Sequence, residues 1–220
     1  MPRPSEGAPA ALAADREAAL RLVPLTAAEQ QRLLIYQDML LRWQRMLNLV
    51  SASTLPHLWT RHIADSAQLR DLAPSALRWA DLGSGGGFPG MVLAILLADK
   101  AGAEMHLIER DKRKAAFLQS VSRETGAAAI VRADAIEAVL PGLTQIEIVT
   151  ARAIAPLDQL IGWSMPLLQQ GATGLFLKGR KVQQEIEAVA AHDLDLSTLP
   201  SRTDPSGRIV SVRYKGGAIR

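Results

Sequence analysis

DLGSGGGFPG, residues Asp81 to Gly90, sets five glycines among ten residues. It stands between LRWADL (Leu77 to Leu82), which reads as a strand, and MVLAILLA (Met91 to Ala98), which reads as a helix. Each glycine loses more backbone freedom on folding than any other residue. Such density therefore marks a place where the chain turns sharply or comes up bare against something. Gly83-Ser84-Gly85-Gly86-Gly87 has the form G-x-G-x-G. In a doubly wound sheet a ligand binds beyond the carboxyl ends of the strands, near the point where strand order reverses, and this loop would fall there. A tight strand-to-helix turn without a ligand is the other reading of the same residues.

Outward from the loop, short apolar runs alternate with helical ones. EMHLIE (104–109), AAAIVRA (127–133), EIVTARA (147–153), TGLFLKG (173–179) and RIVSVRYK (208–215) read as strands. KRKAAFLQSVSRET (112–125), PLDQLIGWSMPLLQ (156–169) and VQQEIEAVAAH (182–192) read as helices. This alternation predicts βαβ units and a mostly parallel sheet covered on both faces. Upstream, Thr26 and Glu29 form a capping box that opens an apolar-striped helix running to about Asn48. A second helical segment spans roughly Leu55 to Leu72, ahead of Pro74. The expected organisation is a flexible tail over 1–24 with at most one short helix, a helical extension over 25–75 that packs on the core, and the main domain over 76–220.

The chain of 220 residues is 48% hydrophobic and 21% charged, as expected of one soluble globular domain. It has no cysteine, which excludes disulfides, thiolate-ligated metals and a thiolate nucleophile. Asp15, Arg16 and Glu17 stand where a secretory signal would be apolar, and the longest apolar stretch, Phe88 to Ala98, is too short to span a bilayer. A soluble cytoplasmic protein with no membrane partner is expected. Residues 201–220 hold five basic side chains against one acidic, a net +4, while the whole chain is only +3. A basic end hints at a polyanion but is more often a solvated surface.

Glu109 ends the second strand, where an acidic side chain can accept both hydroxyls of a ribose. Asp134 closes the third, beside Ala135, Ile136 and Glu137, where an adenine edge could be met. Loop, Glu109 and Asp134 together point to an adenosine-containing ligand. A dinucleotide fingerprint is G-x-G-x-x-G, with a pyrophosphate on the helix N-terminus, whereas here the third glycine comes one residue early. No Lys-Ser/Thr follows Gly90, so a P-loop is not formed either. S-adenosylmethionine has no phosphate and suits the shorter loop better than NAD, with Gly83, Gly85 and Gly87 lying against it.

In order along the chain, NLVSAS (48–53), RHIADS (61–66), DLGSGGGFPG, LIERDKRKAAFLQ (107–119), TARAIAPL (150–157) and FLKGR (176–180) resemble the glucose-inhibited division protein B family. These are guanine-N7 methyltransferases of small-subunit ribosomal RNA. The resemblance covers about residues 35–180. It implies a Rossmann-like class I S-adenosylmethionine-dependent methyltransferase fold with S-adenosylhomocysteine as product. The implied substrate is one guanine in the decoding-region loop of 16S rRNA, in the small ribosomal subunit. It further implies that Gly83, Phe88, Ile136, Glu137 and Arg152 border the cofactor. Phe88 stands where the family more usually has Leu.

The residue chemistry is compatible. C5 attack by a pyrimidine needs a cysteine adduct, and there is none. An exocyclic amine typically needs an Asn/Asp-Pro-Pro-aromatic loop after the fourth strand, where this chain has Thr150-Ala151-Arg152-Ala153. A ribose hydroxyl needs a base, for which Lys178 is available, so that class is disfavoured without being excluded. Guanine N7 needs neither base nor nucleophile, only alignment. Arg152 and Lys178, both expected to face the cleft, are the candidate catalytic residues. Arg110, Lys112, Arg113 and Lys114 read first as a solvated helix face and second as RNA contacts. His62 and Asp65 lie i, i+3 without a third ligand, so no metal is expected and a structural role is favoured. Trp43 follows the apolar stripe and reads as core. A monomer is expected. The competing functions are a non-catalytic RNA- or ribosome-binding module on the same fold, and an NAD-dependent oxidoreductase.

Overall fold

The computed structural model describes residues 7–189 and 193–216. The five expected parallel strands are β1 (Arg78–Leu82), β2 (Glu104–Ile108), β3 (Ala129–Arg132), β4 (Ile148–Arg152) and β5 (Thr173–Lys178). With β6 (Leu194–Pro200) and β7 (Arg208–Tyr214) they make one sheet in the order β3-β2-β1-β4-β5-β7-β6, in which β7 runs antiparallel to both β5 and β6. β1 pairs with β2 on one side and β4 on the other, so Asp81 lies opposite both Leu107 and Thr150. The strand order reverses between β1 and β4, and the glycine loop leaves β1 at that reversal.

The strands alternate faces with period two, which divides the core. Trp79, Met105, Leu107, Ile148, Leu175 and Leu177 face the layer of α4 (Gly90–Leu96) and α5 (Lys112–Thr125). Ala80, Leu82, Val149, Ala151 and Phe176 face that of α7 (Leu157–Gln169), with Val182 of α8 (Val182–Ala188) and Ile136 of the short α6 (Ile136–Val139). The first layer does not stop at α4 and α5. Leu33, Tyr36 and Leu40 of α2 (Ala27–Trp43), together with Leu58, Trp59, Ile63 and Leu69, join the same apolar cluster.

Three elements of the N-terminal part depart from expectation. Of the tail expected over 1–24, residues 1–6 lie outside the described ones, and Gly7–Leu22 form a helix, α1. Tertiary contacts hold it: Ala19 and Val23 are buried, and Asp15 accepts from the Trp59 and Thr60 amides (2.8 and 3.2 Å) and the Thr60 hydroxyl (2.6 Å). The helix expected over 55–72 is instead a chain of 3-10 turns (Ala52–His57, Gln68–Leu72), a π turn (Trp59–Ala64) and the one-turn α3 (Asp65–Ala67). Finally, α2 ends at Trp43 rather than Asn48, because the Gln44 side chain takes over the backbone bonding: its Oε1 accepts from the Leu49 and Val50 amides (3.0 Å each) and its Nε2 donates to the Val50 carbonyl (2.8 Å). The eighth helix ends at Ala188, and residues 190–192 of the expected helix lie outside the described ones.

Candidate active site

Gly83, Gly85 and Gly87 all take positive φ (63, 54 and 100°), the left-handed region that costs a side chain about 1–2 kcal/mol. The N-terminal extension presses on this loop from outside. Tyr36, fully buried, donates its hydroxyl to the Gly86 carbonyl at 2.5 Å, and burial drives its pKa well up. A Cβ on Gly87 would stand 2.7 Å from both Tyr36 Oη and Met91 Cβ, whereas one on Gly85 would meet nothing nearer than 3.7 Å. Gly87 is thus glycine for packing, while Gly85 turns a bare peptide to an open side.

Asp81 organises the far end of the loop. Almost wholly buried, its carboxylate accepts from Thr150 Oγ1 (2.9 Å) and from the Gly90 amide (3.2 Å), at the start of α4. Burial pushes its pKa up to about 6, against the lowering pull of Ser84, Thr150, Gly90 and Arg152.

The open side of the loop faces a cleft of about 670 Å³ at the carboxyl ends of β1, β2, β3 and β4. Of the residues singled out from sequence, Gly83, Gly85, Phe88, Glu109, Ile136, Glu137 and Arg152 line it, as does Asp134; Gly87 supports the loop from behind. Glu109 is 7% exposed and is held by two amides, Gly85 N on Oε2 (2.8 Å) and Asp111 N on Oε1 (2.7 Å). Each oxygen keeps a second lone pair for another donor. Glu137 Oε1 accepts from Trp163 Nε1 at 2.7 Å.

Arg152 ends β4 and closes the cleft beside Phe88, its guanidinium 5.2 Å from the ring centroid. It donates to the Arg61 carbonyl (2.9 Å) and contacts His62 Nδ1 (2.6 Å), with Asp65 Oδ2 at 3.6 Å. An arginine only donates, so Nδ1 accepts, and the neutral imidazole carries its proton on Nε2, which faces Thr54 Oγ1 at 2.8 Å. Burial, with the charges of Arg152 and Arg61, lowers the His62 pKa to about 3. Burial likewise lowers that of Arg152, against Asp65, Tyr36 and Asp81. His62 and Asp65 therefore serve to fix Arg152. Among the described residues no group of three or more His, Asp or Glu could hold a metal ion.

Lys178 requires a correction: it does not reach this cleft. Its side chain is 9% exposed, paired with Glu185 at 2.5 Å and donating to the Ala155 carbonyl at 3.0 Å, beside a separate cavity. Glu185 also accepts from the Leu157 amide (2.8 Å), so this pair ties β5 to the start of α7. Of the first basic cluster, Arg110 and Lys114 line the cleft, while Lys112 and Arg113 are exposed on α5, whose N-cap is Asp111. Sequence reading overlooked Leu49, Ile154, Gln159 and Trp163, which also line it. Gln159 and Trp163 were findable as an i, i+4 pair on one face of α7. Ile154 was not, because its place depends on Ala153 taking a φ of +55°.

Residues 29–201 match the family model GidB, rRNA small subunit methyltransferase G. A ribosomal RNA small subunit methyltransferase G of Bradyrhizobium sp. (strain BTAi1) is 51% identical over 203 residues, 91% of each chain. That of Rhodopseudomonas palustris (strain BisB18) is 50% identical over 93% of this chain and 88% of its own. Among solved structures, the O-methyltransferase TomG from Streptomyces achromogenes, in complex with SAM, superposes with a TM-score of 0.59 at 16% identity, over 92% of this chain and 96% of that one. That last likeness speaks for the fold.

Proposed function

The chain belongs to the GidB family, rRNA small subunit methyltransferase G, and from that premise we propose that it transfers a methyl group from S-adenosylmethionine to N7 of one guanine in 16S rRNA. The observation that carries this reading is the bare Gly85 backbone at the strand reversal, opening on a cleft with Glu109 at its side. The cofactor fits what lines that cleft. Gly85 offers main chain to lie against, Gly83 lines the cleft under the Ile154 side chain, Glu109 has lone pairs left for ribose hydroxyls, and Asp134, Ile136 and Glu137 border the adenine end. Phe88 and Arg152 close the other end. A dinucleotide fits poorly, since a pyrophosphate would need the N-terminus of α4. There the Gly90 amide already serves the Asp81 carboxylate, and a second anion would be repelled.

S-adenosylmethionine supplies the methyl as the electrophilic carbon of a sulfonium and leaves as S-adenosylhomocysteine, with the bonding electrons on sulfur. Guanine N7 brings a free lone pair at neutral pH, so no proton has to be removed before it attacks. The side chains agree with this economy. His62 Nδ1 is engaged by Arg152, Lys178 by Glu185, and Glu109 by two amides, which leaves none of the three as a free base. What the protein contributes is alignment and exclusion of water, and well-oriented reactants gain roughly 7–11 kcal/mol. Arg110 and Lys114 at the rim, with exposed Arg180 and Lys181, are our candidates for RNA phosphate contacts. We assign the enzyme to the cytoplasm, as a monomer; no described helix is long and apolar enough to cross a membrane.

The test is to incubate the protein with methyl-labelled donor and small subunits, or their naked RNA, from cells lacking its gene, and to map the product by mass spectrometry. One N7-methylated guanine is expected. No transfer, or label on another atom, would overturn the reading. S-adenosylhomocysteine should raise the melting temperature where NAD does not; at a hundred times its Kd a ligand adds about 2.7 kcal/mol.

A further inference from the structure

A second cavity, of about 240 Å³, lies beyond the carboxyl ends of β4 and β5. It shares Arg152 and Ala153 with the cleft, and its other walls include Asp65, Leu177, Arg208 and the Lys178–Glu185 ion pair. Asp65 is unusual in how its two oxygens are used. Oδ1 accepts from Gln68 Nε2 (2.9 Å), Ser201 Oγ (3.1 Å) and Thr203 Oγ1 (2.9 Å). Oδ2 accepts no hydrogen bond from any described residue; the nearest charge is Arg152, at 3.6 Å. The side chain is only 16% exposed. Three donors on one oxygen lock the carboxylate in orientation, while the other, with only the Arg152 charge near it, keeps lone pairs turned to the cavity for a donor that enters there.

We infer that this cavity seats the target guanine, with Asp65 Oδ2 accepting from its N1–H and N2 amine; the inference rests on the methyl-transfer reading above. N7 and N1 lie on adjoining edges of the purine. A base with N7 at the shared Arg152–Ala153 wall lays its Watson–Crick edge along the neighbouring wall, where Asp65 stands. Splayed bases of single-stranded RNA are read on that edge. Guanine alone among the four presents two adjacent donors there, matched to a carboxylate. Adenine and cytosine would set a ring-nitrogen lone pair against it. As N7 becomes cationic, N1–H becomes more acidic and its bond to the carboxylate tightens, so the contact favours the transition state over the bound ground state.

The experiment compares RNA carrying guanine or inosine at the mapped position, since inosine keeps N7 and N1–H but lacks the N2 amine. The readout is the guanine-to-inosine ratio of kcat/KM, in wild type and in Asp65→Asn. The three donors on Oδ1 hold the Asn carbonyl in place, which sets its NH2 donor against the base's donors. Inosine's weaker intrinsic nucleophilicity cancels between the two proteins. Asp65→Asn should keep the thermal shift with S-adenosylhomocysteine and lose at least about tenfold in kcat/KM on guanine, and its ratio should fall about tenfold or more below that of wild type, the range of one charge-assisted hydrogen bond. Thr203→Val, which frees Asp65 of one anchor without removing its charge, should lower the ratio partway. An unchanged ratio in Asp65→Asn overturns the inference, as does an unchanged ratio in Thr203→Val should Asp65→Asn fail to fold. A wild type that methylates neither RNA removes the methyl-transfer reading instead.

Discussion

Gly85 and Gly87 stand two residues apart in the same loop, and the same substitution should damage them in different ways. Both take positive φ, so alanine pays the left-handed penalty of about 1–2 kcal/mol at either site. Beyond that they part. At Gly87 the new methyl would lie 2.7 Å from Met91 Cβ, an atom fixed to the helix backbone, and 2.7 Å from Tyr36 Oη, which is pinned to Gly86. Forcing an extra methyl into a packed site costs typically 1–3 kcal/mol. At Gly85, which lines the cleft, the methyl meets only the Gly83 carbonyl, at 3.7 Å. The shared strain cancels in the difference, which leaves roughly 1–3 kcal/mol. For a chain of this size each kcal/mol is worth roughly 2–4 °C, so Gly87→Ala should melt about 2–12 °C below Gly85→Ala. Gly85→Ala should weaken S-adenosylhomocysteine binding instead, and Gly85→Asp should abolish it, through bulk and charge together. Differential scanning calorimetry and isothermal titration on the two alanine variants decide the matter. Equal melting temperatures, or donor affinity untouched in Gly85→Ala, would refute the division of labour between the two glycines.

Arg152→Ala strips the partners from the Arg61 carbonyl and His62 Nδ1, and should cost about 3 kcal/mol in urea unfolding together with most of the turnover; unchanged kinetics would remove it from the cleft. Lys178→Met leaves Glu185 without its cation and should lower stability while leaving the pH dependence of transfer unaltered, whereas turnover lost at full stability would return Lys178 to the chemistry. The folded pKa of His62, about 3, lies below its ordinary 6.5. The unfolded chain therefore binds more protons between these values, and stability is lost as pH falls through that window. His62→Gln should flatten the loss, and an unaltered pH-stability curve would refute the buried neutral imidazole. Asp81 acts with the opposite sign, because its folded pKa of about 6 lies above the ordinary 3.8. Its contribution is full at low pH and fades as pH rises through 6, so Asp81→Asn should make the acid loss of stability steeper; a shallower curve would contradict the assignment.

Four of the five parallel strands were legible in the sequence because β1, β2, β4 and β5 are buried on both faces and read as apolar runs; the edge strand β3, only half-buried, was legible from Ile130 and Val131. For the same reason the residue closing each run, such as Glu109, Asp134 or Arg152, could be placed at the cleft from position alone. β6 escaped notice because it is an edge strand: only Leu194 is buried, and residues 197–200 are exposed, so no apolar run announces it. α1 was legible as no more than one short helix in a loose tail, because what docks it is tertiary: Ala19 buried in the core cluster and Asp15 bonded to a turn more than forty positions away. Lys178 was misplaced for a related reason. Its position at the end of β5 was readable, but the carboxylate that captures it comes from α8. The part played by Tyr36 in holding the loop was equally hidden, since a tyrosine within an apolar stripe looks like core whatever its hydroxyl meets.

The turn joining the last two strands has a consequence for the order in which the molecule becomes competent. Arg202 pairs with Asp71 and bonds Gln68 through its amide, Asp204 pairs with Arg61, and Ser201 and Thr203 hold Asp65. Every lining residue of the donor cleft has been synthesised once Trp163 is out, yet the wall opposite Arg152 arrives only with residues 201–208. Contacts spanning some 130 positions are among the slowest to close, so this wall is among the last parts of the molecule to form. Premature termination anywhere in that final stretch would remove this wall and β7 together, and with β7 the buried Ile209, Val210 and Val212 that fill both core layers.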